Sequence, residues 1–281
     1  MAKIHQDMHS AKKQNDPHAA QKEAVEQSLA KIKNKFLVMS GKGGVGKTST
    51  SVNLAVALSN LKHRVGLIDV DLHGPDVPRM LGLSGVLDIT EDRKLQPQYY
   101  SEYLGVVSVE SLTPNKDDAI IWRGPIKYSA IQQFIGQVAW GDLDYLIIDA
   151  PPGTGDEPLT VAQTIKDAQA IIVTTPQEVA LADVRKSINF CRKLNMKIFG
   201  LIENMSSLVC PHCNNELELF GSGGGKRTAD AMGIDFLGKV PFDPQMVSCG
   251  DSGLVYQEKY PDSPVSKAFA GVARKIIETT R

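Results

Sequence analysis

The stretch Gly41-Lys-Gly-Gly-Val-Gly-Lys-Thr48 decides the fold of this chain. It fits the frame G-x-x-x-x-G-K-S/T, in which glycines let consecutive backbone N–H groups turn around phosphate oxygens where a Cβ atom would obstruct them. Lys47 can then reach the β- and γ-phosphates of a nucleotide, and the Thr48 hydroxyl can ligate Mg²⁺. The predicted nucleotide contacts are Gly41, Lys42, Gly43, Gly44, Val45, Gly46, Lys47, Thr48 and Ser49.

The sequence on either side of the loop supports this interpretation. Lys35–Ser40 is an apolar run of strand length, and Val52, Ala55 and Val56 follow the loop at helical spacing. A strand, a glycine loop and a helix in that order confirm a nucleotide motif, because the helix N-terminus adds free N–H donors and partial positive charge for an anion. A chance match in a glycine-rich turn would not need that setting.

The composition of the whole chain limits its function. It has 281 residues, 42% of them hydrophobic, and a net charge of −1. We expect no nucleic-acid partner, because there is no basic excess to neutralise phosphates. We expect no membrane partner, since no apolar run approaches the roughly 18 residues of a membrane span. The N-terminus lacks an apolar signal core, so we predict a cytoplasmic protein.

Short apolar runs alternate with helical patterns along the chain, which is typical of a parallel sheet wrapped by helices. The fold class is therefore predicted to be α/β, a doubly wound and mostly parallel sheet. We expect residues 1–20 to be a mobile polar segment and residues 21–281 to form one domain. The predicted strands are Phe36–Ser40, Arg64–Asp69, Val106–Val109, Tyr145–Asp149, Ala170–Thr174, Ile198–Glu203 and Phe236–Val240. The predicted helices are Glu23–Ile32, Lys47–Asn60, Ile126–Trp140, Ala180–Leu194, Gly224–Met232 and Val265–Thr279.

One predicted strand, Tyr145–Asp149, is apolar and ends in a lone aspartate, as a Walker B element does. In open parallel sheets the ligand lies beyond the carboxyl ends of the strands. Asp149 would therefore lie near Thr48 and hold Mg²⁺ directly or through water. An ordinary turn or cap aspartate is the alternative. The following Ala-Pro-Pro-Gly-Thr-Gly-Asp156 favours a switch over a cap.

A second predicted strand ends in Asp69, and Asp71 lies two residues beyond it. Residues two apart share one side of an extended segment. One carboxylate can bind the water shell of a metal while the other orients or deprotonates the attacking water. We predict that Asp71 acts on the water and that Asp69 joins Thr48 and Asp149 as a magnesium residue. Two solvated loop acids are the alternative.

Together these stretches resemble the deviant Walker A class of P-loop ATPases. The resemblance is carried by G-K-G-G-V-G-K-T, by D-V-D-L-H-G-P (Asp69–Pro75) and by I-I-D-A-P-P-G-T-G-D (Ile147–Asp156), whereas a generic P-loop ATPase would have only the first. The class includes the ParA/MinD partition ATPases and nitrogenase iron protein. The closer similarity, from about residue 30 to the C-terminus, is to the Mrp/ApbC/Nbp-type iron–sulfur cluster carrier family.

The resemblance implies an ATP-hydrolysing homodimer. In the wider class, the lysine that matches Lys42 contacts the nucleotide of the other subunit. Lys42, Lys47 and Asp71 are accordingly the predicted catalytic residues. A solvated loop lysine is the alternative role for Lys42.

The resemblance also implies an adenine pocket. Asn204 matches the residue that reads the adenine edge, and Pro241 and Phe242 would wall the base. An amide can donate and accept together, which suits adenine. No Asn/Thr-Lys-x-Asp guanine motif is present, which favours ATP over GTP. Outside the family context, Asn204 could equally be a turn residue.

The segment Val209-Cys-Pro-His-Cys213 carries the second chemical signal. Cys210 and Cys213 lie three residues apart, so two thiolates in a tight turn could hold one edge of a metal site. A four-coordinate site needs two more ligands, and Cys191 and Cys249 have no paired spacing. A C2 dimer would supply four thiolates on its axis. Zinc in the same site, a thioredoxin-type redox pair and a buried structural pair are the alternatives.

For this cysteine pair the resemblance implies a 4Fe–4S cluster that bridges two subunits and passes to apo iron–sulfur proteins. Zinc is expected in aerobically purified samples. Residues 1–190 contain no cysteine. The N-terminal cluster found in one eukaryotic branch of the family is therefore not expected here.

Two other functions of the wider class are the alternatives. A ParA/MinD-like spatial-organisation ATPase would need a basic amphipathic helix or a basic surface, whereas Lys267–Arg281 is mixed in charge. A redox component like nitrogenase iron protein uses two separated cysteines rather than C-x-x-C. We therefore predict an ATP-binding and ATP-hydrolysing carrier of an iron–sulfur cluster.

Overall fold

The computed structural model describes residues 17–71, 74–112, 124–210, 212–213 and 215–281. Its helices are Pro17–Leu29 (α1), Lys47–Asn60 (α2), Val77–Met80 (α3), Gly124–Gly136 (α4), Asp156–Thr164 (α5), Glu178–Lys193 (α6), Gly224–Met232 (α7), Pro244–Asp251 (α8), Tyr256–Lys259 (α9) and Pro264–Thr280 (α10). Its strands are Ile32–Ser40 (β1), Val65–Asp69 (β2), Gln98–Ser101 (β3), Leu104–Ser108 (β4), Leu143–Asp149 (β5), Gln169–Thr174 (β6), Ile198–Glu203 (β7), Leu208–Val209 (β8), Glu216–Leu217 (β9) and Phe236–Lys239 (β10).

The described strands form an eight-stranded sheet in the order β10-β7-β6-β1-β5-β2-β4-β3, and β8 and β9 form a separate hairpin. Neighbouring strands of the large sheet are parallel, except that β3 pairs antiparallel with β4 at one edge. The strands that precede the predicted site residues, β1, β2, β5 and β7, therefore all end at the same edge of the sheet. This edge is where a doubly wound sheet binds its ligand.

Both faces of the sheet are buried, and β1 shows how the sequence achieves this. Successive side chains of a strand point to opposite faces. Phe36 and Val38 pack into a core that includes residues of α2 and α10, whereas Leu37 and Met39 pack into a core that includes residues of α1, α4 and α5. A near-continuous apolar run is the pattern expected of a strand with both faces covered.

The doubly wound, mostly parallel α/β sheet predicted from the sequence is confirmed. Helices Lys47–Asn60 and Gly224–Met232 and strand Ile198–Glu203 have the predicted bounds. The other predicted elements differ from the structure by a few residues at one or both ends. The helix predicted over Ile126–Trp140, for example, spans Gly124–Gly136.

The predicted helix Glu23–Ile32 is wrong at both ends. α1 spans Pro17–Leu29, and Ile32 opens β1, where it pairs with Leu143. Ile32 is apolar because it joins the sheet, so its helical spacing from Leu29 was misleading. Of the segment 1–20 predicted to be mobile, residues 1–16 lie outside the described residues, and residues 17–20 belong to α1.

Several elements were not predicted, and those of two to four residues are too short to show a period. The unpredicted elements are β3 at the sheet edge, the helices α3, α5, α8 and α9, and the hairpin strands β8 and β9. Among the residues that the structure describes, no helix combines the length and the apolar character needed to cross a bilayer.

Candidate functional site

The glycine loop joins β1 to α2 and packs closely at both of its ends. Gly46 has φ 78° and directly precedes Lys47, the first residue of α2. A Cβ at Gly46 would lie 2.3 Å from Asn204 Nδ2, so both the backbone conformation and the space require glycine. A Cβ at Gly41 would lie 2.4 Å from the carbonyl carbon of Asp183 in α6. The N-terminus of α2 behind this loop is a ready site for an anion.

Between its ends the loop faces solvent. Lys42, Gly43 and Gly44 are exposed, while Val45 is buried. None of the ion pairs between described residues involves Lys42. The Lys42 ammonium is therefore available to a group outside its own loop.

Lys47 and Asp149 form a buried ion pair at the base of the loop. Lys47 Nζ lies 2.8 Å from Asp149 Oδ2, and the Thr48 hydroxyl donates to the same oxygen at 2.8 Å. Ser51 Oγ donates to Asp149 Oδ1 at 2.6 Å. The Asp149 carboxylate is fully buried, and these donors compensate its charge. The sequence placed Asp149 near Thr48, and the two side chains are in contact.

Asp69 lies beside Asp149, because the two residues are register partners on the neighbouring strands β2 and β5. Asp69 is fully buried, and its carboxylate accepts hydrogen bonds from Asp71 N and from Ser108 Oγ, both at 3.1 Å. Burial raises the pKa of Asp69 well above its usual value, and the neighbouring Asp149 carboxylate adds to the effect. Two buried carboxylates side by side are a favourable place for a cation.

Asp71 is buried just beyond the end of β2. Its Oδ1 accepts a hydrogen bond from Gly74 N at 3.3 Å. Leu72 and His73 lie outside the described residues, so the structure shows the predicted segment Asp69–Pro75 only at its two ends. The roles assigned to Asp69 and Asp71 stay predictions.

A cavity of about 350 Å³ opens beside the glycine loop. Asn204, Pro241 and Phe242, the predicted base-pocket residues, line it together with Gly46 and Ser49. Its size and its mixed apolar and polar lining suit a nucleoside. Its other lining residues include Asp76, Arg79, Met80, Asp243, Met246 and Asp251.

Asn204 connects this cavity to the glycine loop. It follows the end of β7 directly, and its Nδ2 donates to Val45 O at 2.9 Å. The side chain is buried, so the loop and the cavity share one fixed amide. The amide therefore lies in the wall of the cavity, and its contact with adenine stays a prediction.

The cysteine pair lies at the tip of the hairpin formed by β8 and β9. The two strands pair antiparallel, and Cys210 N donates to Asn215 O at 2.9 Å. Cys210 is half-buried and Cys213 is exposed. Pro211 and Asn214 lie outside the described residues. The hairpin thus presents both thiols at the protein surface.

The root of this hairpin is hydrogen-bonded to the wall of the cavity. Phe242 N donates to Ser207 O at 2.6 Å, and Ser206 N donates to Val240 O at 3.0 Å. Leu208 and Phe242 also form a parallel bridge. The segment that carries the thiols is therefore joined at its start, by main-chain hydrogen bonds, to the strand end and loop that form the cavity wall.

The turn between the cysteines favours a thiolate at Cys210. The backbone N–H groups of His212 and Cys213, and then the Cys213 thiol, donate hydrogen bonds to the Cys210 sulfur and lower its pKa. The thiolate is the form that binds metals. Burial has the opposite effect on Cys191, whose pKa it raises to about 11. Among the described residues, no cluster of three or more His, Cys, Asp and Glu side chains could hold a metal, so the pair offers two ligands.

We expect iodoacetamide to alkylate Cys210 of the metal-free folded protein at more acidic pH than it alkylates an ordinary exposed thiol. The folded-state pKa of Cys210 lies below its usual value, so the reactive thiolate persists as the pH falls below that value. Peptide mass spectrometry over a pH series measures the profile, and the buried Cys191 should stay unmodified. If Cys210 gave the same profile in the folded and the denatured chain, the hydrogen bonds to its sulfur would have no effect.

Two kinds of contributor to the site were not predicted. Ser51 donates to Asp149, and its position four residues after Lys47, on the same face of α2, is the signal that could have revealed it. Arg79 and Met246 line the cavity from α3 and α8. These short helices show no period, so no local pattern indicates their role.

Comparison with known proteins identifies the family of this chain. The family model described as ParA, NUBPL iron-transfer P-loop NTPase matches residues 31–277. The iron-sulfur cluster carrier protein of Saccharolobus solfataricus is 48% identical over 255 residues, which cover 90% of this chain and 86% of the relative. The iron-sulfur cluster carrier protein of Methanocaldococcus jannaschii is 43% identical over 261 residues, covering 92% and 89%.

Solved structures agree with this match. The nucleotide-binding protein from Archaeoglobus fulgidus, in complex with ADP, is 37% identical and superposes with a TM-score of 0.74 over 83% of this chain and 92% of its own. The septum site-determining protein MinD from Pyrococcus horikoshii, complexed with Mg-ADP, shares the fold at 22% identity, with a TM-score of 0.63 over 88% and 96% of the two chains. With its glycine loop, buried Walker B aspartate and matched residues 31–277, the chain belongs to the NUBPL-type family of iron-transfer P-loop NTPases.

Proposed function

We propose that the protein is a cytoplasmic, ATP-hydrolysing carrier that binds an iron–sulfur cluster between two copies of the chain and transfers it to apoproteins. The observation that carries this proposal is the hairpin, which presents an accessible cysteine pair and is hydrogen-bonded at its root to the wall of a nucleotide-sized cavity. The two relatives at 48% and 43% identity are named iron-sulfur cluster carrier proteins, which supports the same function.

In this proposal ATP lies along the carboxyl edge of the sheet. The backbone N–H groups of residues 41–49 hold the phosphates, and Lys47 supplies positive charge at that end. Asn204 contacts the adenine, and Pro241 and Phe242 form the wall of its pocket. The Archaeoglobus fulgidus relative in complex with ADP supports nucleotide binding by this chain.

The oxygen atoms at the ends of β2 and β5 fit a magnesium ion. The Thr48 hydroxyl and the Asp149 carboxylate are in contact, and the Asp69 carboxylate lies on the adjacent strand. Oxygen is the ligand atom that Mg²⁺ prefers, and two neighbouring buried carboxylates supply it here. Bound Mg²⁺ would neutralise phosphate charge. We assign Asp71 to the attacking water.

A second copy of the chain completes the metal site in this proposal. A 4Fe–4S cluster takes four thiolates, and a C2 dimer brings Cys210 and Cys213 of both copies to one axis. Val209, Leu217 and Leu219 on the same hairpin segment are 40%, 43% and 50% exposed. Burying such side chains between two copies is favourable, because it removes apolar surface from water. Exposed apolar patches of this kind mark interaction surfaces.

Nucleotide and cluster are coupled through this dimer. The exposed Lys42 reaches the nucleotide of the second copy, so hydrolysis requires association. The segments Asp69–Pro75 and Gly153–Asp156 act as switches that sense the γ-phosphate and adjust the interface. Gly153 N donates to Ser40 O at 2.9 Å, which joins the second switch to the strand leading into the glycine loop.

Anaerobic purification followed by iron, sulfide and zinc analysis tests the proposed function. We expect about four iron and four sulfide ions per two chains, as one shared 4Fe–4S cluster contains. Light scattering on the same sample should give the mass of a dimer. A parallel sample purified in air should contain zinc in place of the cluster. Zinc without sulfide under strictly anaerobic conditions would refute the cluster carrier and leave a zinc-stabilised NTPase.

A further inference from the structure

Tyr256 ties the wall of the nucleotide cavity to the core of the protein. Its ring is buried, and its hydroxyl donates a hydrogen bond to Asp243 Oδ2. The other carboxylate oxygen, Asp243 Oδ1, accepts a hydrogen bond from Gln245 N at 2.8 Å and caps α8. One carboxylate thus fixes the start of α8, directly after Phe242 of the predicted adenine pocket.

Gln257, which follows Tyr256 in α9, links this helix to the phosphate end of the site. Gln257 Nε2 donates to Asn53 O at 2.6 Å and to Asn53 Oδ1 at 3.2 Å. Asn53 lies on α2, where its Nδ2 donates to Ser49 O at 2.8 Å. Ser49 lines the cavity. The dipeptide Tyr256-Gln257 therefore bridges the base wall and the helix that follows the glycine loop.

The chemistry of the tyrosine suits a permanent anchor. Burial raises the pKa of the Tyr256 phenol, and the hydrogen bond to Asp243 adds to the effect, so the phenol stays protonated and remains a donor. A hydroxyl that donates to a carboxylate makes a charge-assisted bond, stronger than a neutral one. A wall held in place before binding costs the ligand less ordering entropy, which increases affinity.

We propose that Tyr256 is a positioning residue that, through Asp243, holds the wall of the nucleotide cavity in the geometry that binds the base. The inference rests on the nucleotide site proposed above and deepens it. The hydrogen bond from Tyr256 to Asp243 then contributes to the affinity for the nucleoside and not to the affinity for the phosphates.

Calorimetric titration of the full chain with ADP and, separately, with pyrophosphate tests this assignment. Tyr256→Phe removes only the hydroxyl, and it should weaken ADP binding about tenfold while pyrophosphate binding is unchanged. Tyr260→Phe is the matched control. Its hydroxyl donates to Gln245 Oε1 at 3.3 Å, a longer and neutral bond, and its loss should leave both affinities unchanged.

The outcomes of the titrations distinguish the positioning role of Tyr256 from the nucleotide site itself. If ADP binds wild type and Tyr256→Phe equally well, the positioning role is overturned and the nucleotide site stands. Equal losses for ADP and pyrophosphate would also overturn it, because the effect would not be confined to the base. If wild type binds neither ligand, the nucleotide site itself is refuted.

A second variant tests the route through Asp243. Once Asp243→Asn has removed the charged acceptor, adding Tyr256→Phe should weaken ADP binding little further, since coupled residues give non-additive effects. Additive losses would contradict action through Asp243. Thermal unfolding of each variant shows whether the fold itself has been affected.

Discussion

Replacing both hairpin cysteines, with Cys210→Ala and Cys213→Ala in one chain, is expected to abolish cluster binding. The two thiols are the accessible pair among the four free cysteines, and the turn between them favours the thiolate of Cys210. After anaerobic reconstitution, the visible thiolate-to-iron absorption and the bound sulfide should both be lost.

The matched control for the double variant is Cys249→Ala. It makes the same chemical change at a thiol that is 2% exposed in the core, and it should retain the full absorption band. ADP binding should persist in the double variant, because the glycine loop is unaltered. An intact band in the double variant would show that other residues hold the cluster.

Lys47→Ala is expected to weaken nucleotide binding about 100-fold. Lys47 is buried beside Asp149 at the phosphate end of the proposed site, and truncating one member of a buried charge pair costs a factor of this order. The variant should also lose stability, by about 3 kcal/mol, because Asp149 keeps only its hydroxyl donors Thr48 and Ser51. Titration with ADP below the melting temperature of the variant measures the first effect.

Lys42→Ala separates the two loop lysines. Lys42 is exposed and belongs to none of the ion pairs between described residues. Its loss should therefore leave stability and ADP affinity near wild type, while ATP hydrolysis in the dimer is lowered.

Transfer of a reconstituted cluster to an apo-acceptor should slow with Lys47→Ala. Unchanged transfer would mean that nucleotide does not drive that step in vitro.

The elements that the sequence predicted correctly are those with a strong local pattern. The predicted part of β1, Phe36–Ser40, and β5 are near-continuous apolar runs, because parallel strands buried on both faces need them, whereas the polar residues 33–35 at the start of β1 were missed. The helix α2 follows a glycine loop with a fixed spacing. The helix expected over 23–32 failed at Ile32, where an apolar residue serves the sheet instead of the helix. The strands β8 and β9 have two residues each, too few for any period.

The residues of the candidate site fall into the same two groups, those that a local sequence pattern reveals and those that only the fold brings together. Thr48 and Asp149 could be brought together from sequence, because Asp149 ends β5 and Thr48 follows the loop after β1, and the carboxyl ends of both strands define the ligand edge. Arg79 and Met246 could not, since they are far apart in the chain and meet only when α3 and α8 pack around the cavity. The Tyr256–Asp243 bond is of the same kind, because only the fold brings its two side chains into contact.

The connection between the cavity wall and the cysteine hairpin is made mainly of main-chain atoms, beside one side-chain hydrogen bond from Ser206 Oγ to Val240 O at 3.1 Å. Phe242 N and Ser206 N are its donors, and Ser207 O and Val240 O are its acceptors. Every residue type except proline can supply such a donor. The side chains at these positions are therefore free to diverge without breaking the link, and a relative could keep the same mechanical connection with none of these four residues in common. Comparing amino-acid identities would not reveal it, whereas a proline at position 206 or 242 would remove one of its two main-chain donors.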